Sequence, residues 1–367
     1  MQRNNKIILI TIILIFVLAF FSDKGELVEN LQIPIAIGAD IEKNAVGTIY
    51  KIPVSIYSFE GAEKVSSYVL SGEGFNLPST RDTRQLKSDK KFMLGLNRVF
   101  IFSEGSAQNG LNPFIDLNLN NPQLNDRALC TVCRGKAEDI INYKAKDNIN
   151  TSDYIDGMIR NLKQFNFFSS QYSFMDIAVR VCTEGRATLL PYIEIKDGEI
   201  QTTGLAIFNK DKMVGNVDMA KARVINMIKE NNVWGIVTIQ EGSKYTSLYG
   251  KTKNKVKCYK KDGKYSFVIN LSLSGKIINN TLYKNLNSDV KQMERFKLEL
   301  GRKVEKDCND TIKDVMKEYK VDVLDLGRAA AAKYGRHTGV DWNKIVSNSD
   351  IKVNVKIKVI NEGRGNY

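Results

Sequence analysis

Alternating apolar and polar residues predict several β-strands in the first half of the chain. Residues 33–41 and 50–58 are predicted strands; in the second segment apolar side chains alternate with Lys51, Pro53 and Ser55, which indicates a half-buried strand. Residues 98–102, which are apolar after Arg98, predict a fully buried strand. The remaining predicted elements are a short helix and turn over residues 107–119, a strand over 128–133, helices over 136–145 and 174–183, and an extended segment over 189–195.

The second half shows clearer periodicities. Residues 204–208 and 213–215 flank the turn sequence 209–212 and predict a β-hairpin. Residues 219–230 predict a helix, and Asp289 precedes a long amphipathic helix. Apolar residues at spacings of three and four form its stripe: Val290, Met293, Phe296, Leu300, Val304, Cys308, Ile312, Val315 and Tyr319. Strict alternation predicts two strands with apolar faces: Tyr265, Phe267, Ile269, Leu271 and Leu273, then Ile351, Val353, Val355, Ile357 and Val359.

This order of elements predicts an α+β, multidomain fold with mixed or antiparallel sheets and helices packed on one face. The turn Lys196-Asp197-Gly198 marks the best internal boundary. We therefore expect a signal or anchor segment at residues 1–21, an N-terminal domain at 22–200, built as one or two subdomains, and a C-terminal domain at 201–367.

The N-terminus has the pattern of an export signal. Arg3 and Lys6 precede an almost unbroken apolar run of 15 residues, 7–21, interrupted at Thr11. A free-standing membrane span usually needs about 20 apolar residues, so this run is short. No small-residue cleavage site follows Ala19, which favours a retained, marginal membrane anchor over a cleaved signal. The alternative is a buried core helix.

The composition is that of a globular protein. The 367 residues are 43% hydrophobic and 26% charged, which excludes a mainly disordered, collagen-like or polytopic membrane protein, and five cysteines are too few for a disulfide scaffold. Residues 1–200 carry a net charge of −1 and residues 201–367 carry +14. This asymmetry favours an acidic partner, an anionic membrane surface or nucleic acid, unless it reflects only solvated lysine-rich faces.

A basic stripe is the strongest physical feature of the second half. A strand would place Lys251, Lys253, Lys255 and Lys257 on one face, with further lysines at a hairpin turn around Asp262. Such a stripe suits anionic lipid. The alternative is an edge strand that lysines protect against aggregation. Nucleic acid is disfavoured because the chain is predicted to be exported and neither arginines nor aromatics interleave with the lysines.

No catalytic chemistry is evident. Cys130 and Cys133 form a CxxC, but a strand directs the two side chains to opposite faces and no second ligand pair is available for zinc. His337 is predicted in a loop or at a helix end. There is no P-loop and no GxGxxG after a strand. We therefore predict no catalytic, cofactor-binding or metal-binding residue, and no cofactor.

Four stretches in order carry a family resemblance: residues 68–74, residues 97–104 with 110–113, residues 204–215 (GLAIFNKDKMVG), and Asp325-Leu326-Gly327 with Trp342. Together they resemble the C subunit of bacterial spore nutrient germinant receptors, the Ger(x)C lipoproteins, over nearly the whole chain. The resemblance implies an α+β protein, not known as an enzyme, on the outer face of the spore inner membrane. It also implies A and B membrane subunits as partners in triggering germination.

The chain departs from that family at its lipid-attachment site. Members carry a cysteine followed by Trp; here Phe20 occupies the expected cysteine position and has no thiol to acylate. We therefore expect no lipid attachment and an anchor formed by residues 7–21. The leading hypothesis is a non-enzymatic receptor subunit, and the alternative is an exported solute-binding protein that captures a small nutrient. An enzyme comes third.

Overall fold

The structure is a computed structural model that describes residues 2–20, 27, 30–45, 47–60, 64–145, 150–286 and 288–361. Within them the helices are α1 Gln2–Phe20, α2 Leu77–Gln85, α3 Glu104–Asn109, α4 Asn112–Leu119, α5 Ala137–Asn142, α6 Thr151–Asn161, α7 Phe174–Cys182, α8 Met219–Lys229, α9 Val290–Tyr319, α10 Leu326–Tyr334 and α11 Trp342–Ser347. The strands are β1 Leu31–Gln32, β2 Pro34–Asn44, β3 Gly47–Glu60, β4 Lys64–Gly74, β5 Lys91–Phe92, β6 Val99–Ser103, β7 Leu129–Cys133, β8 Thr188–Lys196, β9 Glu199–Asn209, β10 Lys212–Asp218, β11 Trp234–Glu241, β12 Lys244–Lys261, β13 Lys264–Asn280 and β14 Asp350–Asn361. The α+β class predicted from the sequence is confirmed.

An eight-stranded mixed sheet in the order β10-β9-β8-β7-β6-β2-β3-β4 forms the larger layer. Its central pairs, β2–β6, β6–β7 and β7–β8, are parallel, and the outer pairs are antiparallel. The central strand β6 is buried throughout, as its apolar run predicts. Val99 and Ile101 face one core, and Phe100 and Phe102 face the other.

Helices cover both faces of this sheet, so the expectation of helices on one face is wrong here. Side chains of α5, α6 and α8 pack on the Val99 face, and side chains of α2, α3, α4 and α7 pack on the Phe100 face. For the same reason β3 is not half-buried: Pro53 and Ser55 are buried as well as Val54. A strand enclosed by two layers loses the polar face that alternation alone suggests.

A second, four-stranded sheet has the order β11-β12-β13-β14, with β13 and β14 parallel and the other pairs antiparallel. The long helix α9 covers one face of it. Seven residues of the predicted stripe, from Met293 to Val315, are buried, whereas Val290 is 77% exposed because it is the first residue of the helix. Asp289 caps the helix by accepting hydrogen bonds from the backbone N–H groups of Lys291 and Gln292.

The predicted domain boundary at residues 200/201 lies within β9, immediately after the turn Asp197-Gly198. Strands β9 and β10 pair onto β8 and complete the larger sheet. That sheet therefore takes strands from both predicted domains, and the division into 22–200 and 201–367 stays a prediction.

Helix α1 carries the predicted N-terminal segment. Its apolar side chains from Ile8 to Leu18 are exposed, so the alternative of a buried core helix is wrong. Of the helices in the described part of the chain, none combines the length and the apolar character that a membrane crossing requires. Phe20 is the last residue of α1, and Phe21, which ends the predicted anchor, lies outside the described residues.

Candidate functional site

The predicted basic stripe lies on β12. Lys251 is half-buried, and Lys253, Lys255 and Lys257 are exposed on the same face of the strand. Thr252 and Cys258, on the opposite face, are buried. The hairpin to β13 turns at Asp262 and Gly263, whose φ values of 50° and 76° are the left-handed pair of a type I′ turn.

Part of β12 is an edge. Strand β11 pairs with it as far as the register Trp234↔Lys251. From Lys253 onward, β13 is the one strand of the described residues that pairs with β12. The edge-protection explanation therefore has a geometric basis for Lys253, Lys255 and Lys257.

Two of the sequence stretches that carry the family resemblance contact each other at the tip of the β9–β10 hairpin. The Asp211 carbonyl oxygen accepts a hydrogen bond from the Leu111 N–H at 3.0 Å, and its carboxylate accepts one from the Asn112 N–H at 3.3 Å. Gly110 has a φ of 119°, and a Cβ there would lie 2.6 Å from Asp211 Oδ2. Both the backbone conformation and the close approach require glycine.

A third stretch, Asp325-Leu326-Gly327, forms the centre of a buried charge cluster that sequence reasoning missed. The Asp325 carboxylate lies 3.3 Å from Lys229 Nζ and 3.3 Å from Arg180 Nη1, and it accepts a hydrogen bond from the Ala187 N–H at 3.0 Å. Arg186 Nε is 3.8 Å away. The cluster thus joins α7, α8 and the turn before α10.

Burial and neighbouring charges shift the pKa values of the two carboxylates near this cluster in opposite directions. Burial raises the pKa of Asp322 to about 7, against the hydrogen bond its carboxylate accepts from the Gly327 N–H. Although burial alone would raise it, Lys229 and Arg180 hold the pKa of Asp325 below its ordinary value. Burial lowers the pKa of Lys229. Asp325 therefore carries the negative charge nearest to two buried cations, and Glu230 adds a second carboxylate, with Oε1 4.0 Å from Arg180 Nη2.

The sequence does contain a weak signal for this cluster. Lys229 follows Ala222 and Ile225 at helical spacing, and Arg180 lies three residues after Ile177, so both cations occupy positions on an apolar helix face. Such a position indicates a buried charge that needs a partner, but it does not identify the partner.

Next to the cluster, an open polar cleft of about 1030 Å³ separates the end of α7 from the β9–β10 hairpin and the segment before α11. Glu184 organises one wall by accepting hydrogen bonds from Trp342 Nε1–H at 2.7 Å and from the His337 N–H at 2.9 Å. These hydrogen bonds lower the pKa of Glu184. Lys210 and Lys212 of the hairpin line the same cleft.

The CxxC cysteines lie on a strand and the histidine lies in a loop. Cys130 and Cys133 are buried in different cores on opposite faces of β7, and burial raises the pKa of both thiols well above the ordinary value. His337 is exposed after the end of α10, with a φ of 57°. Among the residues that the structure describes, no three His, Cys, Asp or Glu side chains are grouped to hold a metal ion.

Two family profiles match the chain in order. The profile described as "Spore germination protein N-terminal domain" covers residues 24–195, and the profile described as "Spore germination B3/ GerAC like, C-terminal" covers residues 203–363.

Individual relatives agree with this result. "Spore germination protein GerQC" of Bacillus cereus is 23% identical over 323 residues, which is 84% of this chain and 86% of that protein. "Spore germination protein B3" of Bacillus subtilis (strain 168) is 25% identical over 186 residues, 49% of this chain and 50% of that protein. The fold is similar to that in the crystal structure of the GerBC protein, with a TM-score of 0.57 over 92% of this chain and 100% of that one. At 16% identity this likeness shows the fold alone.

Proposed function

This chain belongs to the Ger(x)C family of spore germination proteins, and from that premise we propose that it is the non-enzymatic C subunit of a spore nutrient germinant receptor. The observation that carries the proposal is the ordered match of both family profiles, over 24–195 and 203–363. The subunit works with the A and B membrane subunits to trigger germination when a nutrient is present. Its role is to hold the receptor together through protein and membrane contacts, without catalysis.

The proposal is tested by gene deletion in a strain that retains this receptor as its sole nutrient receptor. Purified spores are exposed to a panel of nutrients while dipicolinate release is followed. We expect loss of the nutrient response, restoration by the wild-type gene, and normal germination with calcium-dipicolinate. A full nutrient response in the deletion strain would contradict the proposal.

We place the protein on the outer face of the spore inner membrane, attached by residues 7–21 rather than by a lipid. The exposed apolar side chains of α1 between Ile8 and Leu18 support this attachment, and Phe20 has no thiol for acylation. Removal of residues 2–21 should shift the protein out of the spore membrane fraction. A membrane fraction that contains only protein without the intact N-terminus would contradict retention of the anchor.

The cleft beside Glu184 supports a second candidate function, capture of a small nutrient as an exported solute-binding protein. Its volume of about 1030 Å³ is at the upper end for small-molecule sites. Selective binding to the folded state would raise the melting temperature of the purified protein. This function would be favoured by a nutrient that raises the melting temperature of the wild-type protein. The increase should be lost in the Trp342→Ala variant and kept in a variant with a substitution distant from the cleft.

A further inference from the structure

The open face of the four-stranded sheet carries far more positive charge than the stripe on β12 alone. The register places Lys251 beside Ser274 and Lys358, and Lys253 beside Ser272 and Lys356. Lys257 lies in the row of Val268 and Lys352. We call this surface the basic sheet face, and we consider eight of its lysines: Lys251, Lys253, Lys255, Lys257, Lys276, Lys352, Lys356 and Lys358. The same register adds Lys261 and Lys264 next to the hairpin turn.

The lysines of this face are regularly spaced. Residues two apart on a strand are about 6.8 Å apart, and β12 and β14 flank β13 at about 10 Å from each other. Small polar residues of β13, Asn270, Ser272 and Ser274, form the floor between the two lysine rows. Helix α9 packs on the opposite face, through Val353 and Ile357 among others, so the lysines face solvent.

Acidic residues do not balance these charges. None of the eight lysines forms an ion pair with a described residue. Among the described strand positions of this face, the acidic residue is Asp350, one row beyond Lys352. The lysines repel one another in the free protein, and binding to a dense anionic surface would reduce this repulsion.

Aromatic side chains border the lysines at one end of the face. The Trp234 and Tyr249 rings stack at 5.0 Å, and Phe165 contacts Tyr249 at 5.6 Å. Phe165 is 52% exposed and Trp234 36% exposed. Lys251 Nζ lies 5.9 Å from the Trp234 ring. Trp and Tyr beside cations are the residues preferred at a membrane–water interface.

We propose that the basic sheet face docks on a bilayer surface rich in anionic phospholipid. The inference rests on the proposed attachment of this chain to a membrane, and it adds a second, electrostatic contact. Every cation on the face is lysine, a hydrated point charge that suits a diffuse anionic surface, whereas arginine predominates where a specific carboxylate or phosphate is gripped in a bidentate manner. An acidic protein segment would favour a groove and paired geometry over an open lattice.

The test uses the full chain and two kinds of vesicle, phosphatidylcholine alone and equal parts of phosphatidylcholine and phosphatidylglycerol. The test variant carries Lys253→Gln, Lys255→Gln, Lys356→Gln and Lys358→Gln. A matched control loses the same charge on the exposed side of α9 through four substitutions: Lys291→Gln, Lys306→Gln, Lys313→Gln and Lys317→Gln. Sedimentation gives the partition coefficient for each vesicle.

We expect wild-type protein to favour phosphatidylglycerol vesicles. A lysine at an anionic surface contributes about fivefold in partitioning, so four losses should reduce this preference on the order of several hundredfold, while the α9 control stays within about tenfold. Salt at about 0.5 M should remove the preference, because the screening length falls well below 10 Å. Equal losses in the test variant and the control would overturn the proposal.

The two vesicle types separate this proposal from the proposed anchor. Binding to neutral vesicles reports the apolar N-terminal segment, and the gain on phosphatidylglycerol reports the basic sheet face. If the protein binds phosphatidylcholine vesicles but binds phosphatidylglycerol vesicles no better, the proposal for the basic sheet face is refuted and the proposed anchor is not. If the protein does not bind phosphatidylcholine vesicles, the proposed anchor is refuted. If the test variant keeps the vesicle preference but loses binding to poly-L-glutamate, the face serves an acidic protein segment and the lipid proposal is wrong.

Discussion

Replacing Asp325 with asparagine should destabilise the fold strongly, because this carboxylate is the nearest anion to two buried cations, and only Arg180 keeps a second ion pair, with Glu230 at 4.0 Å, among the described residues. Lys229 Nζ and Arg180 Nη1 each lie 3.3 Å from it, and their side chains are 5% and 7% exposed. Breaking a buried ion pair by removing one partner costs about 3–5 kcal/mol. Asparagine keeps an acceptor for the Ala187 N–H and tolerates the left-handed backbone of Asp325 (φ 56°), so it isolates the loss of charge. We expect a loss of about 3 kcal/mol in the free energy of unfolding, at the lower end of that range.

Urea unfolding followed by tryptophan fluorescence measures this loss, since Trp342 is buried and contacts Gly327 near the cluster. The matched control is Asp310→Asn, which removes one partner of the exposed Lys306–Asp310 pair on α9 and should change little. The loss in the free energy of unfolding of the Asp325→Asn variant should become smaller between pH 7 and about 9.5. In this variant Lys229 has lost its carboxylate partner and can release its proton over that range. A loss below about 1 kcal/mol, or one equal to that of the control, would refute the reasoning.

Three further predictions concern Gly327, the five cysteines and Asp322. Gly327→Ala should cost about 1–3 kcal/mol and red-shift Trp342 emission, because the added Cβ would lie 2.5 Å from Trp342 Cβ; unchanged urea unfolding would contradict this contact. A thiol reagent should modify one cysteine of the native protein, the exposed Cys182, and five in urea; a higher native count would contradict the buried positions of the other four. Folded Asp322, with its pKa raised to about 7, keeps a proton that the unfolded chain loses above about pH 4. The free energy of unfolding should therefore fall from pH 4 to 7 relative to Asp322→Asn, and parallel pH profiles in urea melts would contradict the shift.

Local periodicity was sufficient for most of the secondary structure. On β13, Phe267, Ile269, Leu271 and Leu273 are buried at every second position, because the described helices that pack on that sheet cover one of its faces. The same pattern misled on β3, where Pro53 and Ser55 are buried under a second layer. Alternation records the polarity of a strand's own side chains and contains no information on which elements pack above them.

Long-range pairing limits what the sequence can tell about the site. In the sequence, Asp325 belongs to a family motif, but nothing near it indicates a buried charge. Its partner Arg180 lies 145 residues away in sequence. Likewise, the lysines of β12 and the outward lysines of residues 351–359 form two separate sequence patterns. The parallel pairing of β14 with β13 makes them one surface.

Edge protection and lipid docking make different demands on the lysines of the basic sheet face. Edge protection accounts for lysines on the part of β12 beyond β11 and on β14, which among the described strands pairs with β13 alone. It does not account for Lys276, on a central strand, or for Lys251, which pairs with Trp234 of β11. If protection were the only role, the four-glutamine variant would aggregate and keep its vesicle preference. Docking requires the reverse, a monodisperse protein that no longer distinguishes phosphatidylglycerol from phosphatidylcholine.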